Sequence, residues 1–241
     1  SLSTKTKLPF LRGFFGIESV IINSRKLFEI HYTKTCLKNI EKNLYRNNNY
    51  KRLKNLIALN DKHLYDMRLL LLGCTGFVGK ELVPTLLNEN HEIYIVSRKP
   101  ISKLKLDLDF NKFKFFQIDL SKEKNWNNEN LLNILRETDG IINLMGEPIA
   151  EKKWTSEQKQ EIENSRINTT KFMMKTLKNL KINPKVIING SAIGYYGTSL
   201  SSEFTENSPG GKDFLSNLCK KWEAVAAEKP FFSRLVIFRI G

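Results

Sequence analysis

Three glycines, Gly73, Gly76 and Gly79, follow the apolar run Leu69 to Leu72 in MRLLLLGCTGFVG. This is the spacing of a loop that wraps a diphosphate. The first glycine permits a tight turn out of a strand, the second lets the backbone approach the pyrophosphate, and the third lets the next helix pack closely on the strand. Thr75, Phe77 and Val78 complete the loop. The helix that opens here offers unpaired N–H groups and a partial positive charge to the phosphates. A glycine triplet alone is weak evidence, because a structural turn uses the same residues. Here it lies between a strand and a helical pattern, in which Phe77, Val78, Leu82, Val83, Leu86 and Leu87 recur at helical spacing. The expected ligand is a nicotinamide dinucleotide. Pro84 falls inside the helix, where it predicts a kink or a cost of about 3 kcal/mol.

The next apolar run, in HEIYIVSRKP, predicts a second strand over Ile93 to Val96. A domain selective for NAD carries Asp or Glu at the end of this strand to bind the ribose 2′-hydroxyl. This chain has Ser97, then Arg98 and Lys99. No carboxylate at this strand end repels a 2′-phosphate, and a guanidinium can hold one with two hydrogen bonds. The sequence therefore predicts NADP(H) in preference to NAD(H). Arg98 and Lys99 as plain solvent charges are the alternative.

These groups need a scaffold. FKFFQIDL predicts a third strand over 113–118 ending at Asp119, an acid that either faces the adenine edge or caps the next helix. GIINLMG predicts a fourth, reaching Asn143, Leu144, Met145 and Gly146, with Gly146 leaving room for the cofactor ribose. A long polar helix comes next over 155–179, opened by Thr155 with Gln158 three residues on, as in a capping box. KVIINGSA is a fifth strand ending at Ser191, 214–228 a helix, and RLVIFRIG a sixth strand. Continuous apolar strands alternating with helices give an α/β fold, a doubly wound parallel sheet of the NAD(P)-binding Rossmann type.

Charge divides the chain. Residues 1–66 hold 13 Lys or Arg against 5 Asp or Glu, a net +8 of the whole chain's +14. This segment is rich in Lys and Asn and lacks useful periodicity, so it reads as a basic, largely irregular extension. Basic, acid-poor leaders resemble organellar transit peptides. The expectation is a plastid or plastid-like organelle, with the mitochondrion or cytoplasm as alternatives. Residues 67–241 form the second unit. Cys36, Cys74 and Cys219 are odd in number and widely spaced, so they read as free thiols. No His/Cys spacing suggests a metal. No apolar run reaches the roughly 18 residues of a membrane span. Aromatic-basic binding patterns are missing, so the charge does not argue for nucleic acid. The expected partner is a small-molecule substrate; the oligomeric state is not set by the sequence.

Four phrases, GCTGFVG, NLMGEPIAEKKWTSEQKQEIENSR, NGSAIGYYG and DFLSNLCKKWEA, resemble the epimerase family of the extended short-chain dehydrogenases/reductases. This NAD-dependent epimerase/dehydratase-like group includes bacterial sugar-nucleotide-epimerase-like proteins and plastid members described as cell-division inhibitors. The resemblance covers residues 67–241. The GEPI…W…SR block is specific to the group, whereas the glycine motif is generic. Members of the family continue past the RIG sequence into the rest of a substrate lobe, so that lobe is expected to be largely missing from a chain ending at Gly241.

The resemblance implies a Ser or Thr, a Tyr, and a Lys four residues after it. The Tyr moves a proton as hydride moves, and the Lys lowers its pKa. Ser191 matches the Ser position, where it would hydrogen-bond a substrate carbonyl or hydroxyl; capping a strand end is the alternative. KDFLSNLCKKWEA should carry the Tyr and Lys, yet Phe214, Leu215, Leu218 and Cys219 stand near the expected places. Tyr195 or Tyr196 is a candidate displaced acid, although Tyr196 also fits a structural Tyr-Gly turn. Glu147, at the carboxyl edge of the sheet, is a candidate base or hydrogen-bonding residue. Arg166 is placed to pair with Glu147 or with a substrate anion, and Trp154 to pack. Two functions emerge as expectations. One is an NADP(H)-dependent oxidoreductase or epimerase on a small or nucleotide-linked substrate. The other is an NADP(H)-binding regulator without turnover, for example in organelle division.

Overall fold

The computed structural model describes residues 66–241 apart from 104–108, 200 and 202. The basic leader, with its expected transit-peptide character, lies outside the described residues except for Asp66.

Six strands, β1 (Arg68–Leu72), β2 (Glu92–Ser97), β3 (Phe113–Gln117), β4 (Gly140–Asn143), β5 (Val186–Ala192) and β6 (Arg234–Ile240), form one sheet in the order β3-β2-β1-β4-β5-β6. Every pairing is parallel. The order reverses direction at β1, so the carboxyl end of β1 lies at the switch point where ligands bind in such sheets. Among the described residues, four α-helices connect the strands: α1 (Phe77–Asn88), α2 (Glu129–Glu137), α3 (Ser156–Asn179) and α4 (Phe214–Ala227). The fold class read from the sequence is the one observed.

β1 is buried on both faces because Leu69, Leu70, Leu71 and Leu72 are all within 1% of full burial. Such a strand needs helices on either side of it. α2 starts on Asn128, whose side chain accepts from the Leu131 amide, and α3 starts on Thr155, which accepts from the Gln158 amide at 3.2 Å. The expected Thr155 cap is thus present. α4 begins on Asp213, which accepts from the Ser216 amide at 2.8 Å. α1 continues through Pro84 to Asn88. The ring removes the N–H that would bond the Lys80 carbonyl, a local loss within a helix otherwise anchored by Val83 and Leu86.

β4 stops at Asn143, shorter than the apolar run suggests. Its backbone still follows β1 for one more residue, as the Leu144 amide donates to the Leu72 carbonyl at 2.8 Å. Asn143 then leads a buried polar network. Its amide nitrogen donates to Thr170 Oγ1 at 3.0 Å and to Asn189 Oδ1 at 2.7 Å, and its oxygen accepts from the Met145 amide. The Trp222 indole N–H also donates to Thr170 Oγ1, at 2.9 Å. One hydroxyl on α3 therefore satisfies donors from β4 and α4. Thr170→Val keeps the shape and removes that acceptor, leaving two buried donors short of a partner. The expected cost is about 2 kcal/mol, read as a lower urea midpoint with an unchanged slope.

Candidate functional site

The site lies along the carboxyl ends of β1, β2, β4 and β5. At Gly73 the backbone turns with φ +74°, and a Cβ there would lie 2.6 Å from the backbone of Leu144 and Met145. This turn requires glycine twice over, by conformation and by space. At Gly79 an added Cβ would lie 1.6 Å from the Cys74 carbonyl oxygen, so the start of α1 rests directly on the loop. Gly76 differs. Its φ is −88° and an added Cβ would meet nothing nearer than the Gly73 carbonyl at 3.7 Å. Nothing in the described chain requires a glycine there.

Gly76 is also the N-cap of α1, and it supplies no side-chain cap; the first turn holds no acid. The other three described α-helices each start on a side chain that accepts from their first turn. The orphan amides of α1 therefore have no capping side chain as an acceptor. Thr75 and Val78 are half-buried beside them, and Phe77 stands out at 74% exposure. This arrangement fits a diphosphate: bare backbone, free N–H donors, a helix dipole, and space over Gly76.

Beyond β2, Ser97 is buried and its hydroxyl accepts from the Lys99 amide at 3.2 Å. Arg98 is half-exposed. The strand end itself brings no carboxylate, as read from the sequence, yet the fold delivers one. Glu147, from the end of β4, accepts from Arg98 Nη2 at 3.2 Å and from Lys152 Nζ at 3.0 Å. Lys152, then Arg98, hold the Glu147 carboxyl below its usual range against the opposing effect of burial. That weakens Glu147 as a proton acceptor. Asp119 is held low chiefly by the Ser121 hydroxyl, which donates to it at 2.6 Å; Arg98 adds a smaller share. It also accepts from the Ser121 amide in a local turn, and the next α-helix, α2, is capped by Asn128, so the expected helix-capping role of Asp119 is not the one observed.

Leu144 and Gly146 line the end of β4. The space over Gly146 is taken by Arg166, whose guanidinium carbon would lie 2.7 Å from an added Cβ. This glycine thus has a reason within the chain itself. Arg166 meets the Glu147 main chain, donating to its carbonyl at 3.0 Å, and does not meet the carboxylate. It packs over the Trp222 ring at 5.4 Å. Trp154 packs on Phe214 and donates to the Ile149 carbonyl at 2.7 Å.

At the end of β5, Ser191 is buried and donates to Glu223 Oε1 at 2.6 Å. Glu223, on α4, is gripped by Arg239 of β6 through two hydrogen bonds of 2.9 and 2.8 Å. The same guanidinium lies 3.6 Å from the Tyr195 ring centroid and donates to the Tyr196 hydroxyl at 2.8 Å. Tyr196 stacks on Phe204, and Gly197 comes after it with φ +80°, which is the structural Tyr-Gly turn. Ser191, Tyr195 and Tyr196 are thus brought together by two residues that the sequence alone did not single out. Glu147 lies apart, with Arg98.

A family description, NAD dependent epimerase/dehydratase family, matches residues 69–217. The chain belongs to that family. Among relatives, the Arabidopsis thaliana epimerase family protein SDR39U1 homolog, chloroplastic, is 36% identical over 171 residues, covering 70% of this chain and 47% of the relative. The Homo sapiens epimerase family protein SDR39U1 is 33% identical over 178 residues, covering 73% of this chain and 54% of the relative. The chain therefore spans about half the length of these relatives. The crystal structure of human SDR39U1 isoform 2 with NADPH superposes with a TM-score of 0.55 at 30% identity, over 72% of this chain and 53% of that one. A Bacillus cereus UDP-glucuronic acid 4-epimerase solved with UDP-glucuronic acid and NAD superposes with a TM-score of 0.58 at 21% identity, over 72% of this chain and 56% of that one, a likeness of fold.

Within this member of the epimerase/dehydratase family, α4 carries no tyrosine. Its face toward the sheet presents Leu218, Cys219 and Trp222, all buried. Cys219 is pushed up by burial and Cys74 is pushed up to about 12, so neither thiol is poised as a nucleophile. Among the described residues, no His/Cys/Asp/Glu cluster suits a metal, and no helix is long and apolar enough to cross a membrane.

Proposed function

We propose that residues 67–241 bind NADP(H) in preference to NAD(H), and that they serve an oxidoreductase or epimerase acting on a small or nucleotide-linked substrate. The observation that carries this reading is Gly76, a glycine the fold does not need, at a helix N-terminus without a side-chain cap. Arg98 and Lys99 beyond β2 support the choice of cofactor. So does the NADPH complex of the human relative. Bound there, the nicotinamide would supply or accept hydride. The chain's own contribution is positional. The backbone of the Gly73–Gly79 loop would hold the diphosphate, Arg98 the 2′-phosphate, and Ser191 a substrate oxygen. Glu223 and Arg239 fix the Ser191 hydroxyl. Proton transfer would fall to Tyr195, whose ring lies against Arg239; Glu147 held low is the weaker candidate.

The absence of tyrosine from α4 favours a second reading, an NADP(H)-binding regulator without turnover. The two separate in one assay. NADPH absorbance is followed with a panel of carbonyl compounds and sugar nucleotides, using a version extended to the length of the relatives. Turnover that falls in a Tyr195→Phe variant supports the enzyme, and tight binding without turnover supports the regulator. We also propose that residues 1–66 direct the protein to a plastid, in line with the chloroplastic relative. A reporter fused to that segment should enter the organelle; diffuse cytosolic signal would refute it.

A further inference from the structure

We propose that Glu147 tunes cofactor selectivity by competing with the ribose 2′-phosphate for Arg98. The inference rests on the reading that this crevice holds NADP(H), and it deepens that reading. It starts from topology. Arg98 follows β2 and Glu147 follows β4, and both strands flank β1. Two strand spacings are roughly 10 Å, so the pair at 3.2 Å arches over the carboxyl end of β1, above the turn at Gly73. The ion pair thus lies along the line a dinucleotide must take across the switch point.

Burial distinguishes the two partners. The Glu147 side chain is 11% exposed, against 56% for Arg98 and 59% for Lys152. Glu147 is also anchored through its backbone, whose amide donates to Ser165 Oγ at 2.9 Å and whose carbonyl accepts from Arg166 at 3.0 Å. The carboxylate is the anchored partner, and Arg98 is the exposed cation leaning on it. A phosphate carries about −1.5 to −2 charges and three acceptor oxygens at neutral pH. It therefore outcompetes a single carboxylate for the guanidinium fork, although it must first displace that carboxylate. Lys152 remains with Glu147 after the exchange, so no carboxylate is stranded. NAD(H) has no 2′-phosphate and leaves the Arg98–Glu147 pair free to persist. Glu147 thereby handicaps NADP(H) selectively and narrows the gap between the two cofactors.

The test is the ratio of NADH to NADPH dissociation constants, measured by calorimetry on the full chain. Glu147→Gln removes the charge and keeps the size. The ratio should rise about fivefold in favour of NADPH, the scale of a partly exposed ion pair. In an Arg98→Ala background the same substitution should change the ratio less than about twofold. A Glu147→Gln ratio equal to wild type overturns the inference, as does an equal rise without Arg98. Should Glu147→Gln prove unstable, Glu147→Ala, which removes the carboxylate altogether, should raise the ratio likewise. A wild-type chain that binds neither cofactor would instead remove the underlying reading.

Discussion

Gly79→Val is expected to abolish the folded domain, whereas Gly76→Ala leaves it intact and weakens cofactor binding. A Cβ at Gly79 would sit 1.6 Å from the Cys74 carbonyl oxygen and 2.2 Å from its carbon, both backbone atoms of a fully buried loop residue. No rotamer relieves that overlap, because the offending atom is Cβ itself. Either α1 lifts from the sheet or the end of β1 is displaced, and both uncover the apolar layer around Val83 and Leu86. The expected loss is on the order of 4 kcal/mol, most of a marginal domain's stability. It is read as insoluble expression or a lost cooperative thermal transition. At Gly76 the nearest atom lies at 3.7 Å and φ is −88°. Alanine there should move stability by less than about 0.5 kcal/mol. It should still weaken NADPH binding about tenfold, because its methyl fills the space a diphosphate needs. Equal stability losses at the two positions would contradict this division of labour.

Arg98→Ala should weaken NADPH binding about twentyfold, the scale of a hydrogen-bonded charged pair, while NADH binding changes no more than about threefold. The 2′-phosphate contact then rests chiefly on one guanidinium fork, with Lys99 next to it in sequence. That sets the sign for Arg98→Lys as well. An ammonium keeps the charge and loses the bidentate geometry, so this variant should fall between wild type and alanine. Calorimetry at physiological ionic strength checks both, since lower salt would exaggerate the charge effect. A parallel loss of both cofactors would mean that Arg98 holds the loop and does not read the ribose.

The local features of the fold were legible because they are encoded locally. An apolar run followed by spaced glycines reads as a strand turning into a helix, and β1, the Gly73 turn and α1 all stem from it. Thr155, Asn128 and Asp213 sit where a cap is needed, and each accepts from the first turn of its helix. What the sequence concealed was pairing across the sheet. Glu147 lies 49 residues from Arg98, and their contact depends on the order β2-β1-β4. Glu223 lies 32 residues from Ser191 and 16 from Arg239. Their one visible signal was position: a Glu on the sheet-facing side of the helix that ought to carry the Tyr, and an Arg just before the end of the last strand. The sequence reads Gly146 as room for the cofactor, and the fold adds a second reason for it, since Arg166 lies where a Cβ would be. A glycine shows where a side chain is forbidden, and only the fold shows what forbids it.

A paired titration of the unmodified chain with NADPH and NADH decides whether the crevice over β1 is an NADP(H) site. Occupation of the glycine loop with Arg98 on the 2′-phosphate predicts that both bind and that NADPH binds at least about tenfold more tightly. Equal affinities, a preference for NADH, or no saturable binding of either would contradict it.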